Sequence, residues 1–229
     1  MPDFINADEV LADEVVAEAI RRSVFQVEGN QIKYRVAQER REIWTDPEEW
    51  VRAYLVAYLV VRKGYPAERI KLELTVPRRL PSDRADVVVY RDDSLRDIYL
   101  VAECKSAAQP AAARAQGIEQ AFGNATVLEA PFVLYDDGTS SQLFVRGPDT
   151  GYGPLEREAN RRGQRANLPE QYGQAPVYAL IAGGPEDIRI PSSAALETRI
   201  RRAHALIWAG GRRDPLTAFD EWRNFSSPR

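Results

Sequence analysis

Two apolar runs carry isolated charges: Asp86 opens "DVVVY", and Glu103 and Lys105 close "IYLVAECKS". Alternation along a strand puts Glu103 and Lys105 on one face and Cys104 on the other. A run this apolar on both faces belongs in the middle of a sheet, where a lone charge is costly to bury. Two carboxylates and an ammonium are tolerable there once they meet each other and a divalent cation. Magnesium suits the set, because one or two carboxylates suffice beside water and a phosphate. Asp86 and Glu103 are then the ligands, helped by the backbone carbonyl of Cys104, and manganese is the natural substitute. The implied chemistry is phosphodiester hydrolysis, with the metal polarising the phosphate and acidifying a water. Lys105 orients or deprotonates that water, or neutralises charge on the phosphate; the residues leave all three roles open.

Glu-x-Lys is a common tripeptide, so its apolar strand context carries the reading. Cys104 is a buried packing residue, since no partner is at hand to activate it as a nucleophile. Arg78, Arg79 and Arg84 precede Asp86; they suit either contacts to backbone phosphates or a solvated turn. The same two readings apply to Arg161, Arg162 and Arg165 in a loop-like stretch.

Composition narrows the alternatives. The 229 residues are 44% hydrophobic and 28% charged with a net charge of -3, an ordinary globular balance that does not itself announce a nucleic-acid binder. One histidine excludes centres built on several histidines, and one cysteine excludes an internal disulfide and fits a reducing cytoplasm. There is no P-loop and no dinucleotide fingerprint. No run is long enough to span a bilayer, and the acidic N-terminus does not resemble a targeting signal.

Around the site, periodicity predicts an amphipathic helix over 8–22 and a strand in "NQIKYRV". A strong helix follows in "TDPEEWVRAYLVAYLVVRKGY", with Asp46 as cap, Pro47 at the first position and Gly64 at the end. Three strands come next, "IKLELTVP", "ADVVVYR" and "DIYLVAECKS". They precede a helix from Ala111 to Leu128, weakened by Gly117 and Gly123, and a hairpin of "PFVLYDD" and "SQLFVR". Residues 147–175 should be irregular, and helix returns between about Ser192 and Phe225. This order implies an α/β fold, a mixed central β-sheet flanked by helices, over residues 1–185. Residues 186–229 form a helical C-terminal segment.

"TDPEEWVRAYLV", "RADVVVY" and "LVAECKS" resemble the N-terminal nuclease domain of type I restriction enzyme R subunits, within the PD-(D/E)XK nuclease superfamily. The resemblance covers about residues 30–145 and includes "EQAFGNA". It implies a restriction-endonuclease-like fold, magnesium-dependent DNA cleavage, and a motif carried by Asp86, Glu103 and Lys105. It also implies an acidic metal ligand on the first long helix, Glu49 with Glu48 as the alternative. Glu49 equally suits a capping box with Asp46. Related nucleases place a Gln four residues before a Tyr near the metal and the DNA. Here Gln120 is followed by Asn124, and Gln116 lies one turn earlier. That departure leaves a catalytically inactive DNA-binding or partner-binding module as the alternative function, with an RNA-directed activity a third.

"LETRIRRAHALIWAGGRRDPLTAFDEW" is similar to the opening of N-6 adenine DNA methyltransferases, although their Asn-Pro-Pro-aromatic signature is absent. His204 and Trp208 within it read as packing residues. The chain is therefore expected to be the nuclease end of a restriction–modification protein, with DNA and other subunits or domains as partners.

Overall fold

The computed structural model describes residues 6–77, 83–107, 109–146 and 161–170, all of them in the compact unit 1–179. Arg78, Arg79 and the C-terminal segment with His204 and Trp208 lie outside the described residues. Instead of one helix over 8–22 there are two, α1 (Ala7–Ala12) and α2 (Glu14–Arg21). Asp13 separates them: its backbone is extended, and its carboxylate accepts the N–H groups of Val15 and Val16. A side chain able to cap the second helix has ended the first.

A three-stranded antiparallel meander follows: β1 (Phe25–Glu28), β2 (Gln31–Arg35) and β3 (Glu39–Ile43). Only β2 announces itself in the sequence, because it alternates buried Ile32 and Tyr34 with solvated neighbours. β3, "ERREI", buries no residue fully and has no apolar alternation to read.

Helix α3 (Pro47–Val61) begins as expected, with the Asp46 carboxylate accepting the N–H of Glu48 at 3.0 Å and Pro47 at the first position. Val51, Ala53, Leu55, Val56 and Leu59 are all buried, so α3 is a core helix rather than a surface one. It ends where Gly64 turns at φ +71°, a backbone that suits glycine.

The central sheet contains β4 (Ile70–Val76), β5 (Asp83–Tyr90), β6 (Ile98–Cys104), β7 (Phe132–Asp136) and β8 (Ser141–Val145), paired in that order. Only the β6–β7 pair is parallel. Helix α4 (Ala111–Val127) makes the crossover that this parallel pair requires. The expected mixed sheet flanked by helices is therefore present, with the charged strand β6 at its centre. One apolar layer joins Leu100, Ala102 and Cys104 to α3, and another joins Val101 and Val133 to Ala121, Phe122 and Ala125 of α4. Cys104 thus packs towards α3, as alternation predicts.

Where it is described, the stretch 147–175 is irregular as expected, but it is packed rather than solvated. Residues 161–170 dock on the core through a bridge from Arg161 to Phe144 and a short turn over Arg165–Asn167. Arg165 is not a solvated or DNA-facing loop residue. It is 2% exposed, forms an ion pair with Asp136, and lies 4.8 Å from the Tyr54 ring centre.

Candidate active site

The site lies where the end of β6, the start of α3 and the middle of β5 meet. Asp86 follows one step beyond the Val87–Ala102 pair, so the antiparallel register brings it beside Glu103. Its Oδ2 accepts the N–H of Cys104 at 2.7 Å, which ties it to the residue between Glu103 and Lys105. Lys105 Nζ lies 2.8 Å from Glu103 Oε1. The structure thus brings Asp86, Glu103 and Lys105 together.

Glu48 and Glu49 divide in a way that spacing does not foretell. Glu49 closes no capping box: the N–H of Asp46 is donated to the carbonyl of Ile43 instead. Both Glu49 oxygens are occupied, Oε1 by the Tyr34 hydroxyl at 2.5 Å and Oε2 by Arg52 Nη1 at 2.7 Å. Glu48 is the helical carboxylate that faces Lys105, at 3.6 Å. A half-exposed acid at a helix start reaches the site, while its buried neighbour serves as a strut.

Arg52 was not in the sequence-derived set. Its guanidinium contacts Glu49, Glu73 at 2.6 Å and Asp86 at 3.4 Å. The available signal was a charge inside the apolar run "WVRAYLVAYLVV", the same kind of anomaly that marked β6. Glu73 also went unnoticed. It sits at φ +53°, between the pairs Leu72–Val87 and Leu74–Ala85. A left-handed backbone at a non-glycine residue costs about 1 kcal/mol or more, and such strain concentrates at sites.

Glu49, Glu73 and Asp86 therefore surround Arg52, and Glu48 and Glu103 surround Lys105, with the exposed Arg84 at 3.6 Å from Glu73. Burial first, and the neighbouring Asp86 second, push Glu103 up to about 8 against the pull of Lys105. Burial likewise carries Glu49 to about 7 and Asp86 to about 6, against the pull of Arg52 on both. Burial alone would lower Lys105, but Glu103 and then Asp86 outweigh it and hold the amine above its ordinary value as an ammonium.

Glu103 is the observation that speaks for a cation. It is 0% exposed, and its Oε2 has no hydrogen-bond partner. A buried carboxylate oxygen left unmatched is costly unless another group meets it. An excess of buried acids is the donor set that a hard divalent ion takes. Among the described residues no three His, Cys, Asp or Glu side chains converge on a single metal position. Asp86 and Glu103 would thus hold a cation together with main-chain oxygen, water and substrate.

The remaining expected residues are more distant in role. Gln120 donates to Asp83 Oδ1 at 3.0 Å, and Asn124 Nδ2 to the Arg84 carbonyl at 3.2 Å, so both tie α4 to the start of β5. Asn124 is fully buried. Gln116 is exposed on α4. The Arg84 side chain is 60% exposed, 3.6 Å from Glu73. Gly117 has a packing reason: a Cβ there would lie 2.6 Å from Tyr135 Cε2 and 3.7 Å from Lys105 Cγ. The helix crosses this closely only because position 117 lacks a side chain.

Comparison with known families places residues 47–154 in a match to the family described as type I restriction enzyme R protein N terminus (HSDR_N). The match spans α3, the central sheet and α4, and so includes Glu48, Glu49, Arg52, Glu73, Asp86, Glu103 and Lys105. No curated protein matches the chain. No helix among the described residues is long and apolar enough to cross a membrane.

Proposed function

We propose that this chain is a magnesium-dependent DNA endonuclease domain of a restriction–modification system, hydrolysing phosphodiester bonds, with other subunits or domains of that system as partners. The observation that carries the reading is the buried Glu103 carboxylate beside Asp86 and Lys105, its Oε2 left without a hydrogen-bond partner. The similarity over 47–154 to the R protein N terminus supports DNA as the substrate.

Asp86 and Glu103 would hold the cation, with the Cys104 carbonyl as a third donor; Glu48, rather than Glu49, is the helical acid at the site, facing Lys105. When bound, the cation supplies Lewis acidity to the phosphate and to an attacking water. The chain's own contribution is placement and charge. Asp86 is fixed by the Cys104 N–H, and the Lys105 ammonium stands beside Glu103, able to donate to a phosphate oxygen as negative charge builds on it. Arg84, exposed at the edge of the site, is suited to a backbone phosphate, which positions DNA without reading its sequence. Arg78, Arg79 and Gln116 are proposed for the same contact, and Gln120 for positioning β5 through Asp83.

Plasmid DNA incubated with the protein and Mg2+ or Mn2+ tests the proposal. The expected result is nicking or linearisation that Asp86→Ala and Lys105→Ala abolish. Cleavage that survives both substitutions would refute the assignment. Absence of both cleavage and Mn2+ binding would favour the alternative, an inactive DNA-binding or partner-binding module.

A further inference from the structure

Arg52 ligates nothing in the proposed set, yet the geometry of the acids converges on it. Its side chain is 6% exposed. Nη1 meets Glu49 at 2.7 Å, and Nη2 meets Glu73 at 2.6 Å. Asp86 Oδ1 lies 3.4 Å from the same Nη2. Glu49 is held from its other side by the Tyr34 hydroxyl at 2.5 Å, so the strut is anchored in the three-stranded meander. Glu73 projects from a left-handed position in β4. The two short contacts lock the guanidinium plane, and that plane sets the longer contact to Asp86. Asp86 is gripped at two points, Oδ2 by the Cys104 N–H and Oδ1 by Arg52.

We propose that Arg52, clamped by Glu49 and Glu73, is a positioning residue that fixes the Asp86 carboxylate so that it and Glu103 offer their oxygens to one divalent cation. Arg52 acts through Asp86 and touches neither substrate nor reacting atoms. The inference rests on the functional reading above and deepens it, because it names a residue that sets metal affinity without being a ligand. A planar fork is needed for three carboxylates at fixed angles, and a lysine ammonium does not reproduce it.

Charge alone predicts something different. A guanidinium beside a ligand repels an incoming cation. A purely electrostatic role therefore leaves affinity unchanged in Arg52→Lys and strengthens it in Arg52→Met. Positioning weakens it in both.

The test is calorimetric titration of Mn2+ into the full chain, below the unfolding temperature of each variant, with folding checked by circular dichroism. Arg52→Lys and Arg52→Met are compared with Arg165→Lys, which loses a buried fork at the separate Asp136 pair. The expected result is Mn2+ binding about tenfold weaker in either Arg52 variant, the affinity equivalent of one charge-assisted hydrogen bond. Arg165→Lys should lose thermal stability but keep wild-type affinity. A merely structural role for Arg52 would lower its melting temperature and leave Mn2+ affinity alone, which overturns the inference. Unchanged affinity with Lys and tighter binding with Met overturns it too. Wild-type protein that binds no Mn2+ overturns the functional reading itself, and the inference with it.

Discussion

The acid cluster makes the stability of the metal-free protein fall as pH rises from about 5 to about 9. Three buried groups carry most of the effect, Asp86, Glu49 and Glu103, raised to about 6, about 7 and about 8, in each case first by burial, and buried Asp136 is raised in the same sense. Their unfolded values are near 4. Between the unfolded and folded values the native state holds protons that the unfolded chain has released. Stability from these groups is thus complete below pH 4 and is lost as pH climbs through the folded values. Each proton so retained contributes a slope of about 1.4 kcal/mol per pH unit. With about one and a half protons retained on average, the loss between pH 6 and 8 is about 4 kcal/mol, or about 8–16 °C in Tm for a chain of this size. The exposed acids Glu18 and Glu39 are lowered by their Arg and Lys partners and have finished titrating below this window. Thermal melts in chelator across the pH range measure the slope, and an accompanying His204→Gln background removes the only histidine. Glu103→Gln should flatten the slope by about one proton, and saturating Mn2+ should flatten it further by favouring the ionised acids. A flat or rising metal-free curve, or one that ignores Glu103→Gln, refutes the charge accounting.

Gly117→Ala should lower Tm by several degrees, since a Cβ 2.6 Å from Tyr135 costs about 1–3 kcal/mol in overpacking against at most about 1 kcal/mol of gained helix propensity. Differential scanning calorimetry would show it. Arg165→Met leaves buried Asp136 unpaired and should cost about 3–5 kcal/mol in urea melts. Asp46→Ala removes the α3 cap and should cost about 1 kcal/mol in the same assay. Glu48→Gln should impair metal-dependent cleavage about tenfold or more, whereas Glu49→Gln acts chiefly on Tm; equal effects on cleavage would return Glu49 to the ligand set.

Legibility followed one rule in both fold and site: whatever breaks an apolar pattern can be read, and whatever conforms to a polar one cannot. β5 and β6 are apolar on both faces, so they were recognisable as central strands and their charges stood out. α3 was readable from its cap and its stripe. β3 was not, because a strand half-exposed on both faces looks like loop in sequence. The split between α1 and α2 turns on one Asp13 side chain that is equally at home inside a polar helix face. Glu48 and Glu49 are adjacent acids, and only the roughly 100° between neighbours on a helix separates them. Glu73 lies in the alternating "IKLELTV", where a polar residue every second place raises no suspicion, and its φ is invisible in composition. Arg165 read as one more charge in a Gly- and Arg-rich stretch. Its burial depends on Asp136, nearly thirty residues earlier.

The cluster is not there for stability. Burying three carboxyls, Glu49, Asp86 and Glu103, beside Arg52 and Lys105, holding Glu73 in a left-handed backbone and leaving a carboxylate oxygen unmatched each cost folding free energy. Replacing such a set by apolar residues of similar volume is often neutral or favourable. The apolar layers on either side of the sheet, with Leu100 and Ala102 packed towards α3 and Val101 towards α4, are what make the cost bearable. Arrangements that work against the fold at the centre of a sheet concentrate at functional sites. The excess is of the kind a divalent cation cancels, and the strained and buried acids all lie within one fork's reach of Asp86 or beside Lys105. If metal binding does not raise the melting temperature of the wild-type protein more than that of Glu103→Gln, the stored cost has some other purpose, and the hydrolytic reading loses its physical ground.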